Sequence, residues 1–162
     1  MLTCAFTGHR KIKYGHRAGL LHLLSVAVRD AYNKGCRRFI VGGAIGFDTE
    51  AAREVVRFRL THPDVSLSLF LPCIDQNVLW NDSQKSSYDF ILSVADEVRY
   101  LSESYDRDCM RRRNLAMAEE CDIMIAYAGN TRSGSAQTVR MATSLGKEVI
   151  NIYTELEEGS DR

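Results

Sequence analysis

The sequence predicts a three-layer α/β fold, in which a mostly parallel sheet of about six strands lies between helices on both faces. Three observations predict it. Short apolar runs alternate with longer amphipathic stretches along the 162 residues, and glycine or hydroxyl-bearing residues follow several of the apolar runs. Regular alternation of strand and helix joins parallel neighbours through right-handed crossovers. Ligands bind beyond the carboxyl ends of the strands in such sheets, so a site is expected in those loops.

The first part of the chain contains two strand–helix units. An apolar run at residues 2–6 leads through a polar turn to a helical pattern at residues 17–34, which Gly35 ends. A second apolar run at residues 38–41 leads through several glycines to a helix over residues 47–60. The buried stripe of the first helix is predicted to be Leu20, Leu24, Ala27 and Ala31.

The middle of the chain adds a third unit and a fourth strand. Residues 61–64 break the second helix, and the apolar residues 65–71 form a strand that Pro72 ends. The side chains of residues 81–83 are suited to cap a helix that runs to about Ala95. A short strand is predicted at residues 98–101.

The last part repeats the alternation. Asp106 or Asp108 can cap a helix, and residues 122–126 form a fifth strand. A loop of small and hydroxyl-bearing residues then opens a helix that Gly146 closes, and residues 148–153 form a sixth strand. One face of the helix near residue 110 is predicted to carry Met110, Asn114, Met117 and Cys121.

Length and composition indicate one domain. Residues 1–154 are expected to form it, and the acidic residues 155–162 are expected to be a flexible tail. The 21 basic residues equal the 21 acidic ones, so net charge favours neither nucleic acid nor an anionic membrane.

Cysteine usage and the absence of targeting signals indicate the cytoplasm. The five cysteines are scattered without a C-x-x-C pair, which disfavours a disulfide framework and a zinc site. The histidines show no metal-ligand spacing either, so no metal is predicted. The chain shows no signal-peptide pattern and no apolar run near the ~18 residues of a membrane span.

The clearest ligand signal is the strand–loop–helix segment at residues 128–146. Gly134 allows close approach of a ligand to the backbone, and Ser133, Ser135 and Thr138 offer hydroxyl groups at the start of a helix. The free N–H groups of a helix N-terminus favour negative charge. This segment therefore predicts binding of a phosphorylated ligand.

The glycine loop at residues 42–48 is a second, weaker signal. Gly42 and Gly43 precede a helix and could expose N–H groups to a phosphate, although a tight turn explains them as well. The loop matches neither G-x-G-x-x-G nor G-x-x-x-x-G-K-[ST]. Asp48 is either an N-terminal capping carboxylate or an acceptor for ribose hydroxyls.

Three successive arginines, residues 111–113, lie on a predicted helix. Each residue advances about 100° around the axis, so the three side chains cannot share one solvent-facing stripe. Arg113, beside the polar Asn114, is expected to point toward the sheet edge and to bind phosphate through two hydrogen bonds. The other two are expected to be solvated, with ion pairs to Glu119 or Asp108.

Two further loops contain candidate binding residues. In the segment after the first strand, Gly8 precedes His9, which is a base or a hydrogen-bonding residue, and Arg10, which could hold an anion. The loop after the third strand contains Gln76 and Trp80, the only tryptophan. Trp80 either stacks on a base or lies in the core.

The chain resembles the YpsA-like family of the SLOG superfamily in four stretches that occur in this order: GGAIGFDTEAA, LPCIDQNVLW, CMRRRNLAMAEECDIMIAYAG and SGSAQTVRMATSLGKEVINI. That superfamily also contains the DprA/Smf proteins and the Lonely-guy (LOG) cytokinin-activating enzymes. The most specific parts are Arg113-Asn114 and the serine–glycine loop with Thr138. The resemblance covers nearly the whole chain. It implies a Rossmann-like fold with a pocket for a nucleotide or nucleotide-derived ligand, built from the loops described above.

Three functions remain open. Lonely-guy enzymes carry a catalytic glutamate in P-G-G-x-G-T-x-x-E, and Thr138 stands near its place, so binding or sensing without catalysis is the leading hypothesis and no catalytic residue is assigned. The alternative is an N-glycosidic hydrolase or transferase that uses Glu50 or Asp122. The second alternative is DprA-like binding of single-stranded DNA, which the neutral net charge disfavours. The oligomeric state is open, with a homo-oligomer among the alternatives.

Overall fold

A parallel sheet of six strands forms the centre of the protein in the computed structural model, which describes residues 1–160. The strands are β1 (Leu2–Gly8), β2 (Cys36–Val41), β3 (Ser66–Leu71), β4 (Glu97–Tyr100), β5 (Ile123–Tyr127) and β6 (Glu148–Asn151). The helices are α1 (Arg17–Lys34), α2 (Phe47–Arg59), α3 (Asp82–Val94), α4 (Cys109–Glu120), α5 (Gly134–Ser144) and α6 (Ile152–Ser160). A 3-10 turn, Tyr14–His16, precedes α1. The predicted three-layer α/β fold is therefore confirmed.

The order of the strands places the loops after β1 and β5 side by side. The sheet runs β4-β3-β2-β1-β5-β6, so the chain winds outward from β1 to β4 and then returns to the other side of β1. All five strand pairs are parallel. The direction of winding reverses between β1 and β5, where open α/β sheets form a crevice beyond their carboxyl ends.

Two hydrophobic layers lie on opposite faces of the sheet. The larger layer joins α1, α2, α3 and α6 to the sheet, and the smaller one joins α4 and α5 to it. Alternation along β1 shows how the two layers share a strand, since Cys4 and Phe6 belong to the larger and Ala5 to the smaller. All three are fully buried. Strands covered on both faces are rich in apolar residues, as the sequence predicts.

Several element boundaries follow from local sequence alone. Helix α1 has the predicted bounds, and Gly35 ends it with a φ of 116°. Asn81 caps α3 as predicted, because its side chain accepts a hydrogen bond from the Gln84 N–H at 2.8 Å. The Gln84 side chain in turn accepts from the Asn81 N–H at 3.0 Å, which completes a capping box.

Helix α4 departs from the sequence prediction at its start. Asp108 occupies the N-cap position, but its side chain makes no capping hydrogen bond. Asp106 accepts one from the Asp108 N–H at 2.9 Å and pairs with Arg112 at 2.5 Å. The expected ion pairs of Arg112 with Glu119 or Asp108 are thus wrong, because the turn before the helix brings Asp106 within reach.

The end of the chain also differs from the prediction. Strand β6 stops at Asn151, and residues 152–160 form α6, although the sequence analysis predicts a strand to residue 153 and a tail from residue 155. The tail prediction is wrong for residues 155–160, because Ile152 is 1% exposed and Leu156 packs against the larger layer. The rest of the predicted tail, residues 161–162, lies outside the described residues.

Two properties of the chain bear on its environment. The five cysteines have free thiols, and all are buried. None of the helices within residues 1–160 is both long enough and apolar enough to cross a membrane.

Candidate functional site

A polar cavity of about 290 Å³ lies beyond the carboxyl ends of β1 and β5, where the winding of the sheet reverses. The loops after β1, β2 and β5 and one face of α4 form its walls. The residues that line this polar cavity are Thr7, Gly8, His9, Arg10, Ala44, Asp48, Met110, Arg113, Asn114, Met117, Ser133, Gly134 and Ser135. The fold therefore brings together segments that are far apart in the sequence.

His9 joins the loop after β1 to the loop after β5. Its Nε2 atom accepts a hydrogen bond from the Gly129 N–H at 2.8 Å, and its Nδ1 atom lies 3.0 Å from Ser135 Oγ. Because Nε2 accepts, Nδ1 carries the ring proton and donates to Ser135. Burial, with the nearby charge of Lys13, lowers the pKa of His9 and favours the neutral ring. With both ring nitrogens engaged, His9 positions Ser135 and offers no free base.

Hydroxyl groups surround the N-terminus of α5. Ser133 is the N-cap residue, and its Oγ accepts a hydrogen bond from the Ala136 N–H at 3.2 Å. Thr131 donates to Ser133 Oγ at 2.9 Å, and Ser133 Oγ lies 3.2 Å from Ser135 Oγ. The first N–H groups of a helix have no partner inside it and carry the positive end of its dipole. This end of the polar cavity is suited to an anion.

Gly134 and Thr138 differ in their access to the polar cavity. A Cβ atom added to Gly134 would have Asn114 Nδ2, 3.9 Å away, as its nearest contact outside its own helix, so the space before Gly134 is open. A ligand can therefore approach the backbone there. Thr138 is fully buried, does not line the cavity, and donates its hydroxyl to the Gly134 carbonyl at 2.7 Å.

Arg113 lies on the cavity wall, but its guanidinium is engaged by the protein. It points from α4 to the sheet edge, as predicted, and is 6% exposed. Nη1 donates to the carbonyl oxygens of Gly42 and Phe70, the latter at 3.4 Å, and Nε donates to Asn114 Oδ1 at 2.7 Å. Burial lowers the pKa of Arg113. The side chain holds the loop after β2 against the sheet, which limits the two-bond phosphate contact that the sequence predicts.

Gly42 and Gly43 shape this loop without lining the polar cavity. A Cβ atom at Gly42 would lie 2.6 Å from Arg113 Nη1 and 3.0 Å from Asp48 Oδ2. Gly43 has a φ of +72°, a conformation that side chains rarely adopt, and its carbonyl accepts from Gln76 Nε2 at 3.3 Å. Contacts within the protein therefore favour glycine at both positions.

Asp48 is a buried carboxyl group on the cavity wall, 5% exposed. Its Oδ2 atom accepts from the Ala44 N–H at 3.1 Å, and its Oδ1 atom has no hydrogen-bond partner within residues 1–160. Burial raises the pKa of Asp48 to about 6, although the charges of Arg113 and Arg10 and the Ala44 N–H oppose the rise. Gly46 is the N-cap residue of α2, so Asp48 does not occupy that position. Its carboxyl group instead accepts a hydrogen bond from the loop that precedes the helix.

Arg10 is the cation available to a ligand at the cavity mouth. Its side chain is exposed and makes no hydrogen bond or ion pair with any other residue that the structure describes. The backbone around it is fixed, because the Phe47 N–H donates to the His9 carbonyl at 3.2 Å. A Cβ atom at Gly46, where φ is +80°, would collide with the Arg10 carbonyl oxygen. A fixed backbone with a free guanidinium is suited to bind an anion.

A second concavity, the outer groove, adjoins the polar cavity and has a volume of about 780 Å³. Its lining residues are Arg10, Ile45, Asp75, Gln76, Val78, Leu79, Trp80, Gln84, Tyr105 and Met110. Trp80 is partly buried and packs edge-on against Tyr88, with ring centroids 5.3 Å apart. Trp80 thus borders both the core and the groove, and Arg10 and Met110 line both concavities.

The two carboxylates considered for glycosidic chemistry do not line the polar cavity. Glu50 lies on α2 and pairs with Arg53 at 3.7 Å. Asp122 precedes β5 and accepts a hydrogen bond from the Thr3 N–H at 2.8 Å. It therefore lies at the amino ends of the strands, opposite the cavity.

The structure brings most of the candidate site residues together. Nine of them line the polar cavity: Gly8, His9, Arg10, Asp48, Arg113, Asn114, Ser133, Gly134 and Ser135. Gln76 and Trp80 line the outer groove, and Gly42, Gly43 and Thr138 lie behind the walls. Sequence reasoning missed four lining residues: Thr7, Ala44, Met110 and Met117. Met110 and Met117 lie on the helix face that is predicted to carry Asn114, so this shared face could have identified them as lining residues.

Comparison with protein families gives one match over most of the chain. The family model YpsA, described as "YspA SLOG family", matches residues 5–153. A UPF0398 protein of Bacillus thuringiensis (strain Al Hakam) is 26% identical over 122 residues, which are 74% of this chain and 66% of that protein. The chain thus spans just under two thirds of this curated relative. A UPF0398 protein of Bacillus cereus (strain AH187) matches to the same extent.

Two solved structures have the same fold. One is DNA processing protein A (DprA) from Streptococcus pneumoniae, with a TM-score of 0.62 and 19% identity over 92% of this chain and 49% of that chain. The other is DNA processing protein A from Helicobacter pylori, described with its single-stranded DNA binding mode. Its TM-score is 0.64 at 16% identity, over 98% of this chain and 73% of that chain. At these identities the likeness establishes the fold alone.

Proposed function

The chain belongs to the YpsA SLOG family, and from that premise we propose that it binds a nucleotide or nucleotide-derived ligand in the polar cavity without transforming it. The observation that carries the proposal is the convergence of an anion-binding helix start and a free arginine at the switch point of the sheet. Sites at that position in open α/β sheets commonly hold ligands.

The phosphate end of the ligand is assigned to α5. Ser133, Gly134 and Ser135 supply hydroxyl groups and backbone N–H groups on one wall, and Arg10 supplies an exposed charge at the mouth. The neutral His9 fixes Ser135 without adding charge of its own. Hydroxyl, N–H and guanidinium donors together suit a phosphate that enters from solvent.

Binding without reaction is favoured because the cavity lacks a pair of groups for acid–base chemistry. Both nitrogens of His9 are engaged, Thr138 is buried within α5, and Glu50 and Asp122 lie elsewhere. A glycosidic hydrolysis normally uses one carboxyl group as acid and another as base or nucleophile. Asp48 is the one carboxyl group among the residues that line the polar cavity.

Asp48 supports a second candidate function, N-glycosidic cleavage. Its Oδ1 atom is unpaired within the described residues, and its pKa of about 6 suits a group that exchanges a proton near neutrality. In this alternative, Asp48 is the carboxyl group that acts in the cleavage, in place of the sequence candidates Glu50 and Asp122. Release of free base from a nucleoside monophosphate, abolished by Asp48→Asn, would establish it. Unchanged nucleotide after long incubation supports binding alone.

Calorimetry with a panel of nucleotides, nucleotide sugars and signalling nucleotides tests the main proposal. At least one compound should bind to the purified chain, and Arg10→Ala should weaken it about tenfold or more through loss of a charged hydrogen bond. Arg111→Ala is the matched control, because Arg111 is exposed on α4 and does not line the cavity. No binding at high micromolar protein concentration, or equal effects of the two substitutions, would contradict the proposal.

Binding of single-stranded DNA is the result that would replace the proposal of nucleotide binding. The Helicobacter pylori relative is described with such a binding mode, and its fold is similar. Oligonucleotide affinity that falls steeply with salt and exceeds the affinity for every mononucleotide would favour DNA. The balanced charge of this chain predicts weak, salt-insensitive binding of oligonucleotides instead.

A further inference from the structure

Three exposed apolar side chains line the outer groove. Val78 is 62% exposed, Leu79 95% and Tyr105 65%, and all three line it. They belong to two different loops, those after β3 and β4. Concentrations of exposed apolar residues next to a polar rim are typical of ligand-binding grooves.

The two loops that form the groove are joined to one another. The Ile74 N–H donates to the Glu103 carbonyl at 3.3 Å, and the Tyr105 N–H donates to Asp75 Oδ1 at 3.1 Å. The capping box at Asn81 fixes the far end of the first loop to α3. These hydrogen bonds fix the backbone of the two loops that carry the exposed apolar side chains.

The groove continues into the polar cavity. Arg10 and Met110 line both, so the two concavities lie next to each other with these two residues at their border. The polar cavity offers mainly hydrogen-bond donors and charge, whereas the outer groove offers an indole, a phenol and aliphatic side chains. A nucleotide has the same division, with a phosphate at one end and an aromatic base at the other.

We infer that the base of the bound nucleotide lies in the outer groove, with its phosphate at the start of α5 and Arg10 between the two. This inference rests on the proposed function and adds the class of ligand. The ligand carries an aromatic base, and a sugar phosphate or inorganic phosphate would fill only the polar cavity. Base stacking on aromatic side chains supplies the affinity for that end.

Trp80 provides a direct optical signal, because it is the only tryptophan in the chain and lines the groove. A nucleoside monophosphate that binds as inferred changes the intrinsic fluorescence of Trp80. Ribose 5-phosphate binds more weakly and leaves the fluorescence unchanged. The titrations use the four nucleoside 5′-monophosphates, ribose 5-phosphate and inorganic phosphate.

Tyr105→Ala tests the contribution of the base to affinity separately from that of the phosphate. It should weaken the monophosphates about tenfold and leave the affinity for ribose 5-phosphate unchanged, since one stacking surface is lost. Tyr14→Ala is the matched control, because Tyr14 is 88% exposed and lines neither concavity. An unchanged affinity in the control and a selective loss in Tyr105→Ala support the inference.

The remaining outcomes distinguish this inference from the proposed function. If monophosphates and ribose 5-phosphate bind equally and Tyr105→Ala has no effect, the base lies elsewhere and only the inference fails. If Tyr105→Ala weakens both classes equally, the groove does not read the base and the inference also fails. If no nucleotide or sugar phosphate binds, the proposed function fails and the inference fails with it. Capture of a protein on the groove in place of nucleotide would likewise overturn it.

Discussion

Nδ1 of His9 lies 3.0 Å from Ser135 Oγ, and this contact joins the first strand's loop to the first turn of α5. The two residues are 126 positions apart in the sequence. The same imidazole accepts a hydrogen bond from the Gly129 N–H, so one side chain contacts both the loop after β5 and the first turn of α5. The geometry of the cavity at the start of α5 therefore depends on a residue from the loop after β1.

A double-mutant cycle of His9→Ala and Ser135→Ala should give a coupling free energy of about 0.5–1.5 kcal/mol, the net value of a typical intramolecular hydrogen bond. Urea unfolding of the four proteins measures it. The matched cycle pairs His9→Ala with Ser144→Ala, an exposed serine of the same helix, and should give no coupling. Equal values in the two cycles would show that the His9–Ser135 contact contributes nothing.

Arg113→Met should destabilise the protein by about 2–3 kcal/mol, because the carbonyl oxygens of Gly42 and Phe70 lose a charged donor. The neighbouring Arg112→Met removes an exposed ion pair with Asp106 and an exposed hydrogen bond to Ser102 Oγ, and it should cost less than about 1 kcal/mol. Denaturant midpoints of the two variants provide the comparison. Similar midpoints would mean that Arg113 does not hold the loop after β2 and is available to a ligand.

The fold was largely predictable because its signals are local. Gly35 ends α1 through its own backbone conformation, and Asn81 caps α3 through a residue three positions away. Helix α6 was not predictable in this way. Its acidic sequence resembles a solvated tail, and its helical structure depends on Ile152 and Leu156, which pack against a layer formed by distant parts of the chain.

The location of the candidate site was predictable from the sequence, but the contacts of its residues were not. Parallel strands place their carboxyl ends at one edge, so the loops containing His9, Asp48 and Ser133 were expected to meet there. Which arginine is free depends on tertiary structure. The carbonyl oxygens that engage Arg113 belong to the loop after β2 and to strand β3, and Arg10 has no such partner among the described residues.

Asp48 should make stability fall as pH rises. Its pKa is about 6 in the folded protein against an ordinary value of 3.8, so the folded state retains a proton that the unfolded chain releases between these values. Asp48 therefore contributes most to the free energy of unfolding below about pH 4. About 3 kcal/mol of this contribution is lost as the pH rises past 6.

Asp48→Asn tests this pH dependence, because the amide keeps an acceptor for the Ala44 N–H and cannot ionise. The variant should be more stable than the parent above pH 6, by up to about 3 kcal/mol, and the two should converge near pH 4. Denaturant unfolding at a series of pH values measures the difference. Asp89→Asn, at an exposed position on α3, is the control and should track the parent. A constant difference across the pH range would contradict the assignment.

Gly42 and Gly134 should respond in opposite ways to the same added methyl group. Gly42→Ala places a Cβ atom 2.6 Å from Arg113 Nη1, so the guanidinium must move and the protein should lose about 1–3 kcal/mol of stability. Gly134→Ala meets its nearest neighbour, Asn114 Nδ2, at 3.9 Å, so stability should stay within about 0.5 kcal/mol. Its methyl group instead enters the open space at the start of α5 and should weaken nucleotide binding. Thermal unfolding and calorimetry on both variants separate the two effects, and a Gly134→Ala protein with full nucleotide affinity would show that the ligand does not approach this backbone.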